Sequence, residues 1–205
     1  MKYTWPKYKI VRREGINIYG SDKYDVKKRR WVPGQNGGNM PRLSEYGKLL
    51  RNKQVLKRIY FMTEKPFAKL VKFTASRYAK NKGMSHDKVL LQFLERRLDS
   101  IIYRAGLAKT IMQARQMVVH GHFLLNGSKH NIPSYFVAAW DVISIRPKVA
   151  QSPLYEQAFN QALTDIAWLK VNKADKTIEV LDLPDVSVIH TPADVLKVIE
   201  FYARA

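Results

Sequence analysis

Apolar positions recur with a helical period through the middle of the chain. From Ser44, residues Tyr46, Leu49, Leu50, Leu56, Ile59 and Tyr60 form one stripe, and Lys48, Arg51, Asn52, Lys57 and Arg58 occupy the other faces. A second helix is predicted after Lys65-Pro66, with proline in its first turn. Phe67, Leu70, Val71 and Tyr78 face inward there, and Lys69, Lys72, Arg77 and Lys80 face out. Asn81-Lys82-Gly83 breaks the pattern. Ser85 can cap a third helix running to about Arg104, with Leu90, Leu91, Leu94, Leu98, Ile101 and Ile102 buried and Ala105-Gly106 ending it.

Next comes a shorter amphipathic helix. Thr110 supplies a cap, and Gln113 completes a capping-box pattern. At 100° per residue, Lys109, Gln113, Gln116 and His120 share one narrow stripe, while Ile111, Ala114 and Val118 lie opposite. Gly121 ends the helix. The period then shortens: Phe123-Leu124-Leu125, Ile132 to Val137 and Val142 to Ile145 read as strands, with Asn126-Gly127 as a two-residue hairpin turn. Pro133 must take a strand edge or start, and Asp141 suits the turn before the last strand.

Beyond 150 the pattern predicts a helix over 153–166 around Leu154, Ala158, Phe159, Leu163 and Ile166. A hairpin follows, with Trp168 to Val171 and Thr177 to Leu181 as its arms. Thr191-Pro192 is a cap and first-turn signature for a last helix carrying Val195, Leu196, Ile199 and Tyr202. Residues 1–40 lack a period. Their basic clusters (Arg12-Arg13 and Lys27 to Arg30) and the turn PGQNGG, Pro33 to Gly38, predict an irregular segment ordered by another surface. Its aromatics, Tyr3, Trp5, Tyr8, Tyr19, Tyr24 and Trp31, can dock on a core or stack on bases.

Composition narrows the class. With 205 residues and 46% apolar residues, the chain can build a real core. It shows no 18-residue apolar run and no secretory h-region, so neither a membrane span nor a signal peptide is expected. Cysteine is absent, which excludes disulfides and any Cys-ligated zinc or iron–sulfur site and fits a cytoplasmic protein. The net charge of +19 points to a polyanionic partner. Residues 1–80 carry 21 basic and 5 acidic side chains, 81–150 carry 10 and 4, and 151–205 carry 5 and 8. The basic front is a contact side, and the mildly acidic back is free for other company.

No catalytic or metal constellation emerges. His120 and His122 are poorly spaced as ligands, PGQNGG is neither of the phosphate-binding glycine loops, and no serine sits in a nucleophile elbow. Asp99, on a basic helix, reads as a salt-bridge partner of a nearby arginine rather than a general acid. The chain therefore reads as a binding protein without cofactor or metal. Lysines and arginines release counterions from a phosphate backbone. The interleaved amides, imidazoles and aromatics suit the 2′-hydroxyls and unstacked bases of RNA.

The stretch RLDSIIYRAGLAKTIMQARQMVVHGHFLLNG, Arg97 to Gly127, resembles the S4-type RNA-binding module. In that module two helices pack on a short curved antiparallel sheet and grip structured RNA. RREG (Arg12 to Gly15), PGQ (Pro33 to Gln35), PRLSEYGKLLRNKQ (Pro41 to Gln54) and RIY (Arg58 to Tyr60) extend the likeness over roughly residues 1–148. They are similar to the bacterial-type S4 family of small-subunit ribosomal proteins. From 150 onward the likeness is mostly architectural.

The resemblance implies a structural constituent of the ribosome in the cytoplasm. Such a protein binds small-subunit ribosomal RNA first and early in assembly, at a multi-helix junction of the 5′ domain. It implies a place where messenger RNA enters, beside ribosomal proteins S3 and S5, with an influence on translational accuracy. Many family members hold zinc through cysteines near RREG. Here Tyr8 and Val11 stand at the corresponding positions, so the chain resembles the zinc-free branch, with packing in place of the metal. The family often has arginine where Ile111 stands, and Lys109 can substitute for that contact. Arg115 matches the family's ARQ, and serves either RNA contact or a structural pairing with Asp99.

The expected fold is α+β. Residues 1–93 form a basic extension and a mainly helical domain, 94–150 a two-helix and short antiparallel-sheet RNA-binding module. Residues 151–205 form a helix–hairpin–helix segment packing back on the N-terminal domain. Candidate RNA contacts are Arg12 and Arg13, then Arg42, Tyr46, Lys48, Arg51, Lys53, Lys57 and Arg58, then Lys69 and Lys72. In the module they are Lys109, Gln113, Arg115, Gln116, His120, Asn126, Lys129 and Asn131. An RNA-modifying enzyme would need a catalytic domain for which the length leaves no room, and a free regulator would not need so large a basic N-terminal part.

Overall fold

The computed structural model describes residues 6–26, 31–39, 42–80, 83–160, 166–186, 189 and 191–204, without the side chains of Asp22 and Lys80. Tyr3, Trp5, the Lys27–Arg30 cluster, the Asn81-Lys82 break, Leu163 and His190 lie outside these residues. The chain divides into two compact units, Met1–Asp87 with His190–Ala205, and Lys88–Ile189. These units cut the chain elsewhere than the expected 93 and 150, and residues 151–205 are shared between them.

In the first unit, α1 (Lys7–Glu14) replaces the irregular segment expected here. Two turns are too short for a period to stand out. The helix holds because Ile10 and Val11 are buried and Gly15, at φ 70°, closes its end with a bond to the Val11 carbonyl. A single 3₁₀ turn follows at Asp22–Tyr24. Helix α2 (Glu45–Ile59) starts as expected, with the Ser44 hydroxyl accepting from the Gly47 amide at 3.2 Å.

Helix α3 (Glu64–Lys80) buries Phe67, Leu70 and Val71. Two inward assignments are corrected: Tyr46 is 64% exposed, and Tyr78 is 43% exposed and stacks on His86. The last helix, α9 (Val195–Arg204), packs along α2 and also meets α3, burying Val195, Val198 and Phe201. Asp194, not Thr191, caps it, accepting from the Leu196 and Lys197 amides at 3.1 and 3.4 Å. Leu196, expected inside, is exposed.

The single helix expected from Ser85 to Arg104 is two: α4 (His86–Glu95), which leads into the second unit, and α5 (Leu98–Arg104). All six apolar residues assigned to their buried face are buried. The break at Arg96-Arg97 and the loss of the expected 132–137 strand have one cause. Leu98 N–H donates to the Tyr135 carbonyl, Asp99 N–H to that of Pro133, and Val137 N–H to that of Arg96, at 2.9, 3.2 and 2.9 Å. Segment 132–137 spends its backbone groups on the helix break instead of a ladder, keeping one isolated bridge, Arg97 to Phe136.

Helix α6 (Ile111–Val119) leads through Gly121, at φ 67°, into a hairpin of β1 (Phe123–Leu125) and β2 (Ser128–His130). Asn126 and Gly127 turn it with φ 49° and 82°, the left-handed pair a tight hairpin needs. Next come β3 (Val142–Ile145), the short α7 (Pro147–Ala150) and α8 (Pro153–Asn160). Strands β4 (Leu169–Asn172) and β5 (Thr177–Val180) complete a five-stranded antiparallel sheet of order β2-β1-β3-β5-β4.

The C-terminal hairpin thus extends the module's own sheet by pairing β5 with β3. Leu125, Ile143, Ile178 and Val171 face one another across four strands. They share a core with Leu98, Ile101 and Ile102 of α5, Ala114, Met117 and Val118 of α6, and Tyr155 and Phe159 of α8. Each of the leucine, isoleucine, valine, methionine and phenylalanine side chains among them contributes roughly 1.5–3 kcal/mol by leaving water.

Candidate nucleic-acid interface

In the second unit the polar stripe of α6 is presented as its angles predict. Ile111, Ala114 and Val118 anchor the helix, Lys109, Gln116 and His120 are exposed, and Gln113 is half-buried. The Thr110 hydroxyl accepts from the Gln113 amide at 3.2 Å. The Gln113 side chain returns to the Lys109 amide at 3.0 Å, one residue beyond the usual box. Gln113 therefore fixes the helix start through both its backbone amide and its side-chain carbonyl.

Arg115 turns inward to Asp99. The Asp99 carboxylate is fully buried, takes two bonds from Arg97 at 3.0 and 2.7 Å and one from Arg115 at 3.3 Å. Of the two roles open to Arg115, the geometry supports the structural one. A second buried acid, Glu95, takes two bonds from Arg104 at 2.8 and 2.6 Å. Asn126 is exposed, but its amide is committed: Nδ2 donates to Asp141 and Oδ1 accepts from the Val142 amide, at 2.8 and 2.9 Å. Lys129 and Asn131 are exposed on and after β2.

In the first unit the expected basic residues fall into two groups. Arg13, Arg42, Lys48, Lys69 and Lys72 are exposed, as is Tyr46. Five others are engaged in bonds within the unit. Lys53 is 6% exposed, bonds Glu64 at 2.9 Å and sits 4.3 Å from the centre of the Phe201 ring. Lys57 bonds the same carboxylate at 2.8 Å. Arg51 and Arg58 both donate to Glu14, whose side chain is buried. Arg12 donates to the Trp31 carbonyl at 2.8 Å and lies over Tyr8. Val11 is fully buried.

Glu64 is the hub of the helical unit. Burial pushes its carboxyl up, but bonds from Lys57, the Tyr202 hydroxyl and Lys53 outweigh that and hold it at about 2. Burial first, and then the same contact with Glu64, raise the Tyr202 phenol. The pattern that fooled the sequence reading is simple: lysine and arginine on a basic helix look alike until a carboxylate distant in sequence claims some of them.

Three basic features escaped the sequence reading. Lys65 is exposed and lies four residues before Lys69 and seven before Lys72, so three lysines share one ridge of α3. Arg146, just past β3, donates to the Gly121 carbonyl at 3.2 Å. His122 shares a 2.7 Å hydrogen bond with the Tyr155 hydroxyl, and its ring is 5.8 Å from that of His120. Burial first, then His120 and Arg146, hold His122 below the ordinary histidine range. Helical spacing is the signal that finds the Lys65 ridge, whereas the other two depend on long-range contacts. Among the described residues no group of histidines and carboxylates is arranged to hold a metal, and no helix is long and apolar enough to cross a membrane.

A capped helix, a glycine break and a tight hairpin laid on an antiparallel sheet define an S4-domain protein, and the S4 domain profile matches residues 96–143. The profile described as the ribosomal protein S4/S9 N-terminal domain matches residues 2–95. Similarity to curated proteins runs along nearly the whole chain. Small ribosomal subunit protein uS4 of Halothermothrix orenii is 37% identical over 211 residues, covering 99% of each chain. That of Thermotoga maritima is 38% identical over 212 residues with 99% of each covered. That of Persephonella marina is 40% identical over 208 residues with 98% of each covered. The chain belongs to the uS4 family of small ribosomal subunit proteins, which are structural components and not enzymes. With no cysteine, it has the zinc-free form.

Proposed function

We propose that this protein is a primary binder of small-subunit ribosomal RNA. It joins early in assembly at a multi-helix junction of the 5′ domain and lies beside ribosomal proteins S3 and S5 where messenger RNA enters. Through that position it contributes to translational accuracy. The observation that carries the reading is the α6 face: a helix anchored by Ile111, Ala114 and Val118 that offers a charge, amides and an imidazole in one row. Such a row suits ribose hydroxyls and phosphates together.

The exposed cations Arg13, Arg42, Lys48, Lys69 and Lys72 supply the sequence-independent part of the affinity, and Tyr46 supplies a stacking surface. Lys109, Gln113, Gln116, His120, Lys129 and Asn131 supply the part that depends on RNA shape. Lys53, Lys57, Arg51 and Arg58 act indirectly, by holding the helices that carry the exposed residues.

Filter binding to a 5′-domain transcript, with an unrelated structured RNA of equal length as control, tests this. The expected result is a clear preference for the 5′ domain. Affinity should also fall steeply with salt, on the order of 10³-fold between 50 and 200 mM if six or more phosphates are contacted. Equal binding to both RNAs would remove the ribosomal assignment.

A further inference from the structure

We infer that the turn at Gly121 is a phosphate-binding cradle built from Lys129, Arg146, His120 and His122, with Tyr155 as its positioning residue. The ligand class is the phosphodiester of an RNA backbone, so the inference rests on the RNA-binding reading above and names a site within it.

Four basic side chains from separate parts of the chain converge on one glycine. The Lys129 stem lies across Gly121 so closely that a Cβ added there would come within 2.6 Å of its Cε. The φ of 67° favours glycine at 121, and a Cβ there would push the Lys129 stem out of its present place. From just past β3, Arg146 reaches the Gly121 carbonyl with one of its five donors, at 3.2 Å. His120 and His122 flank the glycine in sequence, with rings 5.8 Å apart.

This gathering is not a set of salt bridges. Among the described residues, no carboxylate pairs with any of the four, while Arg97, Arg104 and Arg115 nearby in sequence all have acid partners. Capping the end of α6 accounts for one Arg146 donor only. Among the described residues, no carboxylate lies in ion-pair range of the remaining Arg146 donors or the Lys129 ammonium. Like charges brought together without a counter-ion repel, so the arrangement is stabilised when an anion enters.

Tyr155 sets what the imidazole offers. It is 1% exposed, and burial raises its phenol, so it keeps its proton. A buried hydroxyl needs an acceptor, and the His122 Nδ1 at 2.7 Å is the one recorded among the described residues. With Nδ1 accepting, the neutral ring must carry its hydrogen on Nε2. His122 is thereby fixed as a donor, the form that binds a phosphate or ribose oxygen.

The test uses the full-length chain and the 5′-domain transcript, with affinity measured across a salt series. Lys129→Gln and Arg146→Gln keep hydrogen-bonding ability and remove charge. Each is expected to lower affinity several-fold and to reduce the slope of log affinity against log salt by about one. Tyr155→Phe keeps every charge. It should leave the slope unchanged, weaken binding a few-fold, and convert His122 from one tautomer to a mixture in nitrogen-15 ring spectra. Circular dichroism confirms that each variant is folded. Lys109→Gln, on the α6 stripe, is the reference. If Lys109→Gln reduces the slope while Lys129→Gln and Arg146→Gln do not, the cradle is wrong and the RNA reading stands. If the unmodified chain shows no preference for the transcript, the RNA reading itself fails.

Discussion

Replacing Asp99 by alanine removes the centre of the most buried ion cluster in the second unit. The carboxylate is fully buried and the Arg97 side chain is 4% exposed, with Arg115 at 36%. Without Asp99, the Arg97 guanidinium stays in the interior with no counter-charge, the case in which breaking a buried pair costs about 3–5 kcal/mol. Whole domains have only about 5–15 kcal/mol of stability, so the loss is a large fraction of the unit's reserve. For a unit of this size it corresponds to a fall of the order of 20 °C in Tm. Arg115→Ala should cost far less, about 1 kcal/mol or below, because Asp99 keeps its two bonds from Arg97 and Arg115 is partly solvated.

The double variant Arg97→Met with Asp99→Ala separates the two contributions. Replacing both charges by apolar groups should recover much of the single-variant loss. Urea unfolding read by hydrogen exchange of α5 and α6 amides is the appropriate assay, since it reports on this unit even when the two units unfold separately. A loss below 1 kcal/mol for Asp99→Ala, or a double variant no better than the single, would refute the account of Asp99 as the counter-charge of Arg97.

Other outcomes follow from single contacts. Glu64 has a carboxyl held at about 2 in the folded chain against 4.5 when free, so its contribution is complete above pH 4.5 and disappears as pH falls towards 2. With 44% of the side chain exposed, screening reduces this to about 1–2 kcal/mol. Urea titrations should show Glu64→Gln less stable than the parent at pH 7, with the gap closing between pH 4.5 and 2. Leu98→Ala, at a fully buried position, should cost about 2–5 kcal/mol through its cavity. Intact stability with lost RNA binding would mean that α5 has been turned inside out. Thr110→Ala should cost about 1 kcal/mol by removing the cap of α6, seen as faster exchange in its first turn.

Legibility in the sequence followed the range of the interactions. The α6 cap, its two faces, the Gly121 stop and the Asn126-Gly127 turn depend on neighbours within four residues, and each is where the pattern placed it. Segment 132–137 was misread because β-branched and aromatic residues look alike in a strand and in a loop whose carbonyls serve a helix break. Helix α1 was missed because two turns carry too little period. The division of the basic residues was hidden for a related reason: Glu14 meets Arg58, and Glu64 meets Tyr202, only after the chain has folded back on itself. Arg97 as a buried residue, 3% exposed, could not be read from a basic dipeptide.

Helix α9 closes the core of a unit whose other helices, α1 to α3, lie far upstream, with the residues of the β-sheet between them in sequence. On a translating ribosome, Leu49, Leu56 and Phe67 therefore emerge long before Val198 and Phe201, which cover that side of the unit. The nascent protein therefore carries an incomplete helical layer through most of its synthesis, because the residues that close it are among the last made. A chain that stops before α9 lacks Val195, Val198 and Phe201, and so leaves the faces of α2 and α3 that they cover open to water.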